Sequence, residues 1–356
     1  MSTKRILMAL AISLAVSLPV AAHHSHSSLD RNKQVTLVGT VTKFMWRAPH
    51  VYIQAEAVNE AGVLVEYTIE TLNPPALAKL GWAPDTLQPG DKIAWFGNHD
   101  RDPNRAYTGM SWLEKIGGLK YFAERDSLEA YLEEVSMTEN AYLGLDPVQP
   151  ARRIGEGVWS RIGEDGGRFP AIRAPILDWP YTELAAEEVA NFHEDQNPTV
   201  DCEYPGVPKS MTAPLNYQWS YIDENTIRIE RDLMPNDRIV HLNPETAPAP
   251  GEPSNVGYSL ATWEGDDLVI HTINFAADRW GTYTGVNSSE QKEVVERYSL
   301  SDDGMRLDAE ITVTDPAYLT EPVTFTHQWG KIADRAISQA ECSLDNATYY
   351  LTAGYE

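Results

Sequence analysis

Three of the nine histidines arrive together, as His23, His24 and His26, directly after the small residues Val20, Ala21 and Ala22. A cut after Ala22 would make His23 the first residue. It would then carry an α-amine and an imidazole on one residue, a bidentate chelator for Cu(II) or Ni(II). A cut one residue earlier would give Ala22-His23-His24, a different but still Cu(II)-chelating terminus. His50, in the turn Trp46-Arg47-Ala48-Pro49-His50, opens a strand and can reach the same region, and His99 closes another strand nearby. The expected metal set is therefore His23, His24, His26 and His50, with copper as the possible cofactor. The plainer alternative is a polar terminus with His50 bonded to backbone.

A second constellation lies late in the chain. Residues 267–274 alternate, so that Leu268, Ile270 and Thr272 share one face and Val269, His271 and Ile273 the other. Glu296 and Arg297 are adjacent on a strand and must point to opposite faces. His271 with Glu296 or Arg297 could supply acid or base chemistry near neutral pH in a greasy cavity. Tyr258, Trp263, Trp280 and Tyr283 offer aromatic walls, with Asn274 and His327 as polar groups. This pattern suits a protein that binds a small apolar molecule, or a cofactor-free lyase, isomerase or cyclase. A histidine and an ion pair that only hold a sheet together would leave the same trace.

Several chemistries find no support. There is no GxSxG elbow, HExxH, phosphate loop or dinucleotide fingerprint. Gly163 to Gly167 reads as a turn, and Asp302-Asp303-Gly304 is too short for a calcium loop.

The elements that must position these residues begin with residues 1–22. Lys4 and Arg5, an apolar run and small residues at 20 and 22 form a secretory signal, too short for a membrane span. Lys4 and Arg5 are two of the 28 basic residues, so a chain cut after Ala22 keeps 26 bases against 52 acids. Such a surface repels phosphate backbones and anionic lipid, which argues against nucleic-acid partners and membrane insertion. The two cysteines, Cys202 and Cys342, are expected to bond in a periplasmic or secreted setting, with two free thiols as the alternative.

Period-two patterning predicts strands at 35–44, 50–58 and 63–71, a short helix after Asn73-Pro74-Pro75, and strands at 91–98 and 107–116. That order is the order of an OB-like barrel. An amphipathic helix is expected at 121–135 as a linker, and a second helix at 182–192 capped by Thr182. Residues 155–214 otherwise read as wrapping loop. Eight strands between 215 and 331 predict an antiparallel, lipocalin-like barrel. The expected organisation is a signal over 1–22, an OB-like barrel over 23–117, a helical linker over 118–150 and a larger barrel over 151–356. The fold class is mainly β.

His23-His24-Ser25, Thr36-Leu37-Val38-Gly39-Thr40-Val41 and the turn from Trp46 to His50 resemble a family of secreted bacterial proteins of unknown function. His26 departs from it, standing where Phe is common. The second half resembles another uncharacterised secreted bacterial family through Gly157-Val158-Trp159, Cys202, Pro205-Gly206-Val207-Pro208, Trp263-Glu264-Gly265-Asp266, Glu296-Arg297-Tyr298, Asp315-Pro316 and Glu341-Cys342. His271 again departs, standing where an acid is usual. The second resemblance implies the Cys202 to Cys342 disulfide. Neither resemblance implies an activity. The expectation for function is a periplasmic protein holding a small apolar molecule in the C-terminal barrel.

Overall fold

The computed structural model describes residues 28–163, 175–193, 196–204, 206–213, 215–349 and 353–354. Residues 1–22, His23, His24, His26 and the turn at 164–167 lie outside the described residues.

The first sheet is built from β1 (Leu29–Met45), β2 (Tyr52–Val58), β3 (Leu64–Glu70), β4 (Lys92–Asp100), β5 (Tyr107–Gly109), β6 (Trp112–Lys115) and β7 (Lys120–Phe122). β1 is long enough to serve two neighbours. Its second half pairs with β2 and its first half with β4, both antiparallel, with a bulge between Val41 and Lys43. Gly39 sits where both pairings meet, and a Cβ there would fall 2.5 Å from the Glu56 carbonyl oxygen. β3 and β5 run parallel, and β5 pairs with β4, which closes the ring β1-β2-β3-β5-β4. The short helix α1 (Pro74–Ala78) bridges β3 and β4, with the Asn73 side chain accepting from the Ala76 N–H. This is the OB-like barrel expected from the element order. Val41, Ile53, Ile69, Ile93, Trp95 and Leu113 fill it.

Two local expectations change. The strand expected over 107–116 breaks into β5 and β6, because β5 bridges β3 and the far end of β4 at His99 while β6 pairs with β4 at Ile93–Phe96. The linker helix begins later than expected, since Tyr121 and Phe122 are recruited into β7. The linker then folds as α2 (Arg125–Glu134) and α3 (Glu139–Leu143).

The second barrel closes with nine strands: β8 (Gly157–Ile162), β9 (Asn216–Asp223), β10 (Thr226–Arg231), β11 (Arg238–His241), β12 (Tyr258–Glu264), β13 (Asp267–Ile273), β16 (Glu293–Leu300), β17 (Arg306–Thr314) and β18 (Val323–Lys331). All eight strands expected after residue 215 are present. The ninth, β8, comes from the stretch read as wrapping loop and joins β18 to β9. One neighbouring pair, β11 with β12, is parallel, so the chain is not a simple meander. Between β13 and β16, β14 (Asp278–Tyr283) and β15 (Val286–Ser288) form a separate hairpin. Against it packs α4 (Glu183–Ala190), capped by Thr182 as expected.

The C-terminal segment returns to the first barrel. Cys202 and Cys342 form a disulfide. Just beyond, α5 (Leu344–Thr348) places Asn346, whose side-chain amide donates to the carbonyls of Ala48 (2.8 Å) and His50 (3.1 Å). Arg105 Nε donates to the Ala353 carbonyl at 2.7 Å. The tail therefore straps one barrel to the other.

Candidate functional site

The lumen of the larger barrel holds the polar group that parity puts inside. Glu296 is fully buried and receives a bidentate ion pair from Arg238 on β11. Tyr298 O–H also donates to Glu296 Oε1, at 2.8 Å. The remaining donors of Arg238 reach Ser259 Oγ at 2.8 Å and Thr272 Oγ1 at 2.6 Å. Every charge in this cluster has a partner, the condition under which a buried ion pair is tolerated. It is structural in character.

His271 and Arg297 are on the other side of the wall. His271 lies opposite Val295 in the register, its side chain is 49% exposed, and its Nε2 is 3.1 Å from Glu293. Arg297 pairs with Glu264 and Asp267 on the outer surface. The expected catalytic group of His271, Glu296 and Arg297 is therefore not assembled, because strand alternation separates the first and third from the second by the thickness of the sheet.

Nor do the six expected ligand residues converge. Tyr258 points outward, against the His241 ring (centroids 5.4 Å apart), and donates to the Pro248 carbonyl. Trp263 is 46% exposed at the strand end. Asn274, with φ of 59°, donates to the Gly251 carbonyl at 3.1 Å. His327 and Tyr283 do meet through Phe325, with centroids 5.1 Å and 5.9 Å from its ring. Trp179 stacks on Phe325 and closes that end of the barrel.

His327 is buried and accepts a 2.7 Å hydrogen bond at Nδ1 from Arg161 on β8. Burial and then the neighbouring guanidinium push its pKa down to about 3, so the ring is neutral at physiological pH. Trp329, Tyr298, Tyr217 and Trp219 continue the aromatic packing through the lumen. A cavity among Trp159, Tyr217, Trp219, Tyr298 and Trp329 measures about 20 Å³, the room of a single water. Aromatic side chains line the place where an apolar cavity is expected.

The larger space, about 350 Å³, lies outside the barrel wall, in a cleft between α4 and the β14–β15 hairpin. Leu184 and Trp280 give it an apolar side, and Glu188, Asn191, Arg279 and Asn287 a polar one. Trp280 adopts φ of 58°, a conformation that a bulky residue rarely holds and that costs roughly 1–3 kcal/mol. Asn287 fixes it by accepting from the Trp280 N–H at 2.9 Å. The same asparagine donates its side-chain amide (2.8 Å) and its backbone N–H (3.3 Å) to the two oxygens of Glu188. Burial raises the Glu188 pKa, though both bonds from Asn287 oppose the shift. On the opposite rim Arg279 binds Asp201 (2.6 Å) and Glu203 (3.0 Å), the neighbours of Cys202. Lys292 supports the hairpin from beneath. It is 1% exposed and donates to Gly281 O and Ser288 Oγ, and its pKa is lowered by burial to about 8. The cleft thus combines a strained aromatic, a half-buried carboxylate and an arginine on a braced frame. It is able to hold a small molecule with both a carbon face and hydrogen-bonding edges.

Of these residues, sequence reading found only Trp280. Glu188 was hidden on a helix among other acids, and Asn287 in a short hairpin. Arg238 was legible in principle, as a charge at an inward position between Ile229 and Ser259 on neighbouring strands.

In the smaller barrel, His50 Nδ1 is 3.2 Å from the Thr71 carbonyl and 3.6 Å from Glu70 Oε1. His99, considered as a further ligand, is buried elsewhere and bonds the Asp100 carbonyl, and its ring packs on Tyr67. No group of three or more metal-ligating side chains occurs among the described residues.

Residues 11–110 match a family described as a family of unknown function (DUF6152). No curated protein and no solved structure matches the chain. An uncharacterised family over the N-terminal region agrees with the first resemblance, while its individual motifs rest on the sequence alone.

Proposed function

We propose that this is an exported small-molecule-binding protein whose ligand occupies the cleft between α4 and the β14–β15 hairpin. The observation that carries the reading is the backbone of Trp280, held at a costly φ by Asn287 and, through it, by Glu188, at the wall of a 350 Å³ cleft. Such strain is retained where a side chain must be presented in one orientation. The lining is about as polar as it is apolar, which favours a small hydroxylated ring of monosaccharide size over a purely apolar guest. Export to the periplasm or cell exterior belongs to the same reading, supported by the leader-like residues 1–22 and by the Cys202–Cys342 bond. We also assign the second half of the chain to the second secreted family that it resembles.

The test is a titration with neutral monosaccharides and, separately, with the apolar dye anilinonaphthalene sulfonate, on the wild type and on Trp280→Ala and Glu188→Gln. Saturable sugar binding that weakens at least about tenfold in both variants is the expected result. Dye binding with no response to any sugar would return the ligand to the apolar class and remove the basis for the cleft.

A further inference from the structure

We infer that the lumen of the nine-stranded barrel binds one halide ion, chloride under ordinary conditions, through Trp159, Trp329, Arg231 and Ser210. The inference is independent of the cleft, which lies outside the barrel wall.

The first observation is where these four side chains stand. Across β8, β9 and β10 the register aligns Trp159 with Tyr217 and Tyr217 with Arg231, so the three share one level of the wall. Trp329 on β18 lies opposite Arg161, two residues along β8 from Trp159, and therefore shares the same face. A short 3-10 turn, Lys209–Thr212, brings Ser210 to this level, where Tyr217 O–H donates to the Ser210 carbonyl at 2.5 Å. All four side chains line the cavity of about 20 Å³.

The second observation is the bonding of their polar atoms. Trp159 Nε1, Trp329 Nε1, Arg231 Nε and Ser210 Oγ are each buried without a hydrogen-bond partner among the described residues. None of the four residues is more than 4% exposed. Three of these atoms are N–H groups that can only donate, and the hydroxyl can donate as well. Leaving even one buried donor unmet is costly, and here four belong to the walls of one small space. A water there accepts two hydrogen bonds and needs acceptors for its own protons, so it leaves donors unmet. A monatomic anion accepts from all four. The volume admits one such ion and excludes a tetrahedral oxyanion.

The third observation is charge. Arg231 is held by neutral groups: Nη2 donates to the Asn236 carbonyl at 2.8 Å, and the guanidinium lies 4.8 Å from the centre of the Tyr204 ring. The carboxylate that acts on it, Asp237, is bound to Arg228. Arg238 also lines the cavity, but Glu296 neutralises it. A buried guanidinium with no carboxylate in contact is costly unless an anion joins it. Lys209 adds a further positive charge beside Ser210, its Nζ donating to Thr212 Oγ1 at 3.0 Å. Burial first, and then Arg161 and Lys209, depress the His327 pKa, which reports a positive field at this end of the lumen. The chain as a whole has 52 acids against 28 bases, so its outer surface repels the anions that the lumen attracts.

The experiment has two parts. Protein purified and crystallised in sodium bromide, without chloride, is measured for anomalous scattering at the bromine edge. The expected result is a peak in the lumen, within hydrogen-bonding distance of the four groups. In parallel, thermal unfolding is followed against chloride concentration at constant ionic strength, with gluconate, too large for the cavity, as the replacement anion. The wild-type midpoint should rise with chloride by mass action. Trp329→Phe and Trp159→Phe keep a ring but lose the N–H, and each should need at least about tenfold more chloride for the same rise. Circular dichroism identifies a variant that misfolds, and the wild-type bromide map decides the matter without either. A lumen that holds water only, or bromide confined to the outer surface as an adventitious ion only, overturns the inference. A chloride dependence that is the same in the wild type and the folded variants also overturns it.

Discussion

A histidine in the lumen of the larger barrel should make this protein less stable in acid. His327 is buried, accepts from Arg161, and has its pKa lowered from 6.5 to about 3 by burial and then by that arginine. In the unfolded chain the same ring protonates at its ordinary value of about 6.5. As pH falls from there, the unfolded state takes up a proton that the folded state refuses. Stability is therefore full above about pH 6.5, is lost as pH falls, and the loss is complete near pH 3. At 1.36 kcal/mol per pH unit the whole interval is worth ~5 kcal/mol, comparable with the stability of an ordinary domain. The perturbation that isolates it is His327→Gln, whose amide oxygen can still accept from Arg161 but does not titrate. Urea unfolding at a series of pH values between about 7 and about 4 should show the wild type losing ~3 kcal/mol more than the variant across that range. Parallel stability curves for the two proteins would refute the assignment of a neutral, hard-to-protonate ring at this position.

Other consequences follow from the same geometry. Glu296→Ala should cost ~3–5 kcal/mol by stranding Arg238 in the lumen, while Arg238→Met combined with Glu296→Leu should cost clearly less, as read from denaturation midpoints. Removing the disulfide with Cys202→Ala and Cys342→Ala should cost ~5 kcal/mol on the chain-entropy model, for two residues 140 apart in sequence. It should also raise hydrogen exchange at Asn346 and in the tail that straps the barrels. His271→Ala should change stability by no more than ~0.5 kcal/mol and leave ligand binding intact, in keeping with its place outside the wall.

The architecture was largely legible because its signals are periodic. Alternation located the strands of both barrels, and the helix after Asn73 fixed the order that an OB-like ring requires. β8 was hidden in a tract rich in Gly and Pro: it is only six residues long, and its partners β18 and β9 are remote in sequence. The candidate site was less legible for a different reason. Alternation says that Glu296 and Arg297 face opposite ways and that His271 shares a face with Val269, but it does not say which face is inward. His271 lies on the outer face of β13, where Val269 and Ile273 make a surface nearly as apolar as a core. The cleft is made where α4 meets a hairpin about a hundred residues later, and no local pattern reports such a meeting. The strain at Trp280 likewise has no sequence signature, since it is imposed by Asn287 and Glu188.

Where a ligand sits decides between the cleft and the barrel lumen. A crystal structure of the protein grown with the best-binding monosaccharide from the titration would show this directly. Sugar density is expected in the cleft between α4 and the β14–β15 hairpin, within hydrogen-bonding distance of Glu188 or Arg279. Density for a ligand inside the nine-stranded barrel, with the aromatic filling displaced and the cleft unoccupied, would contradict that expectation.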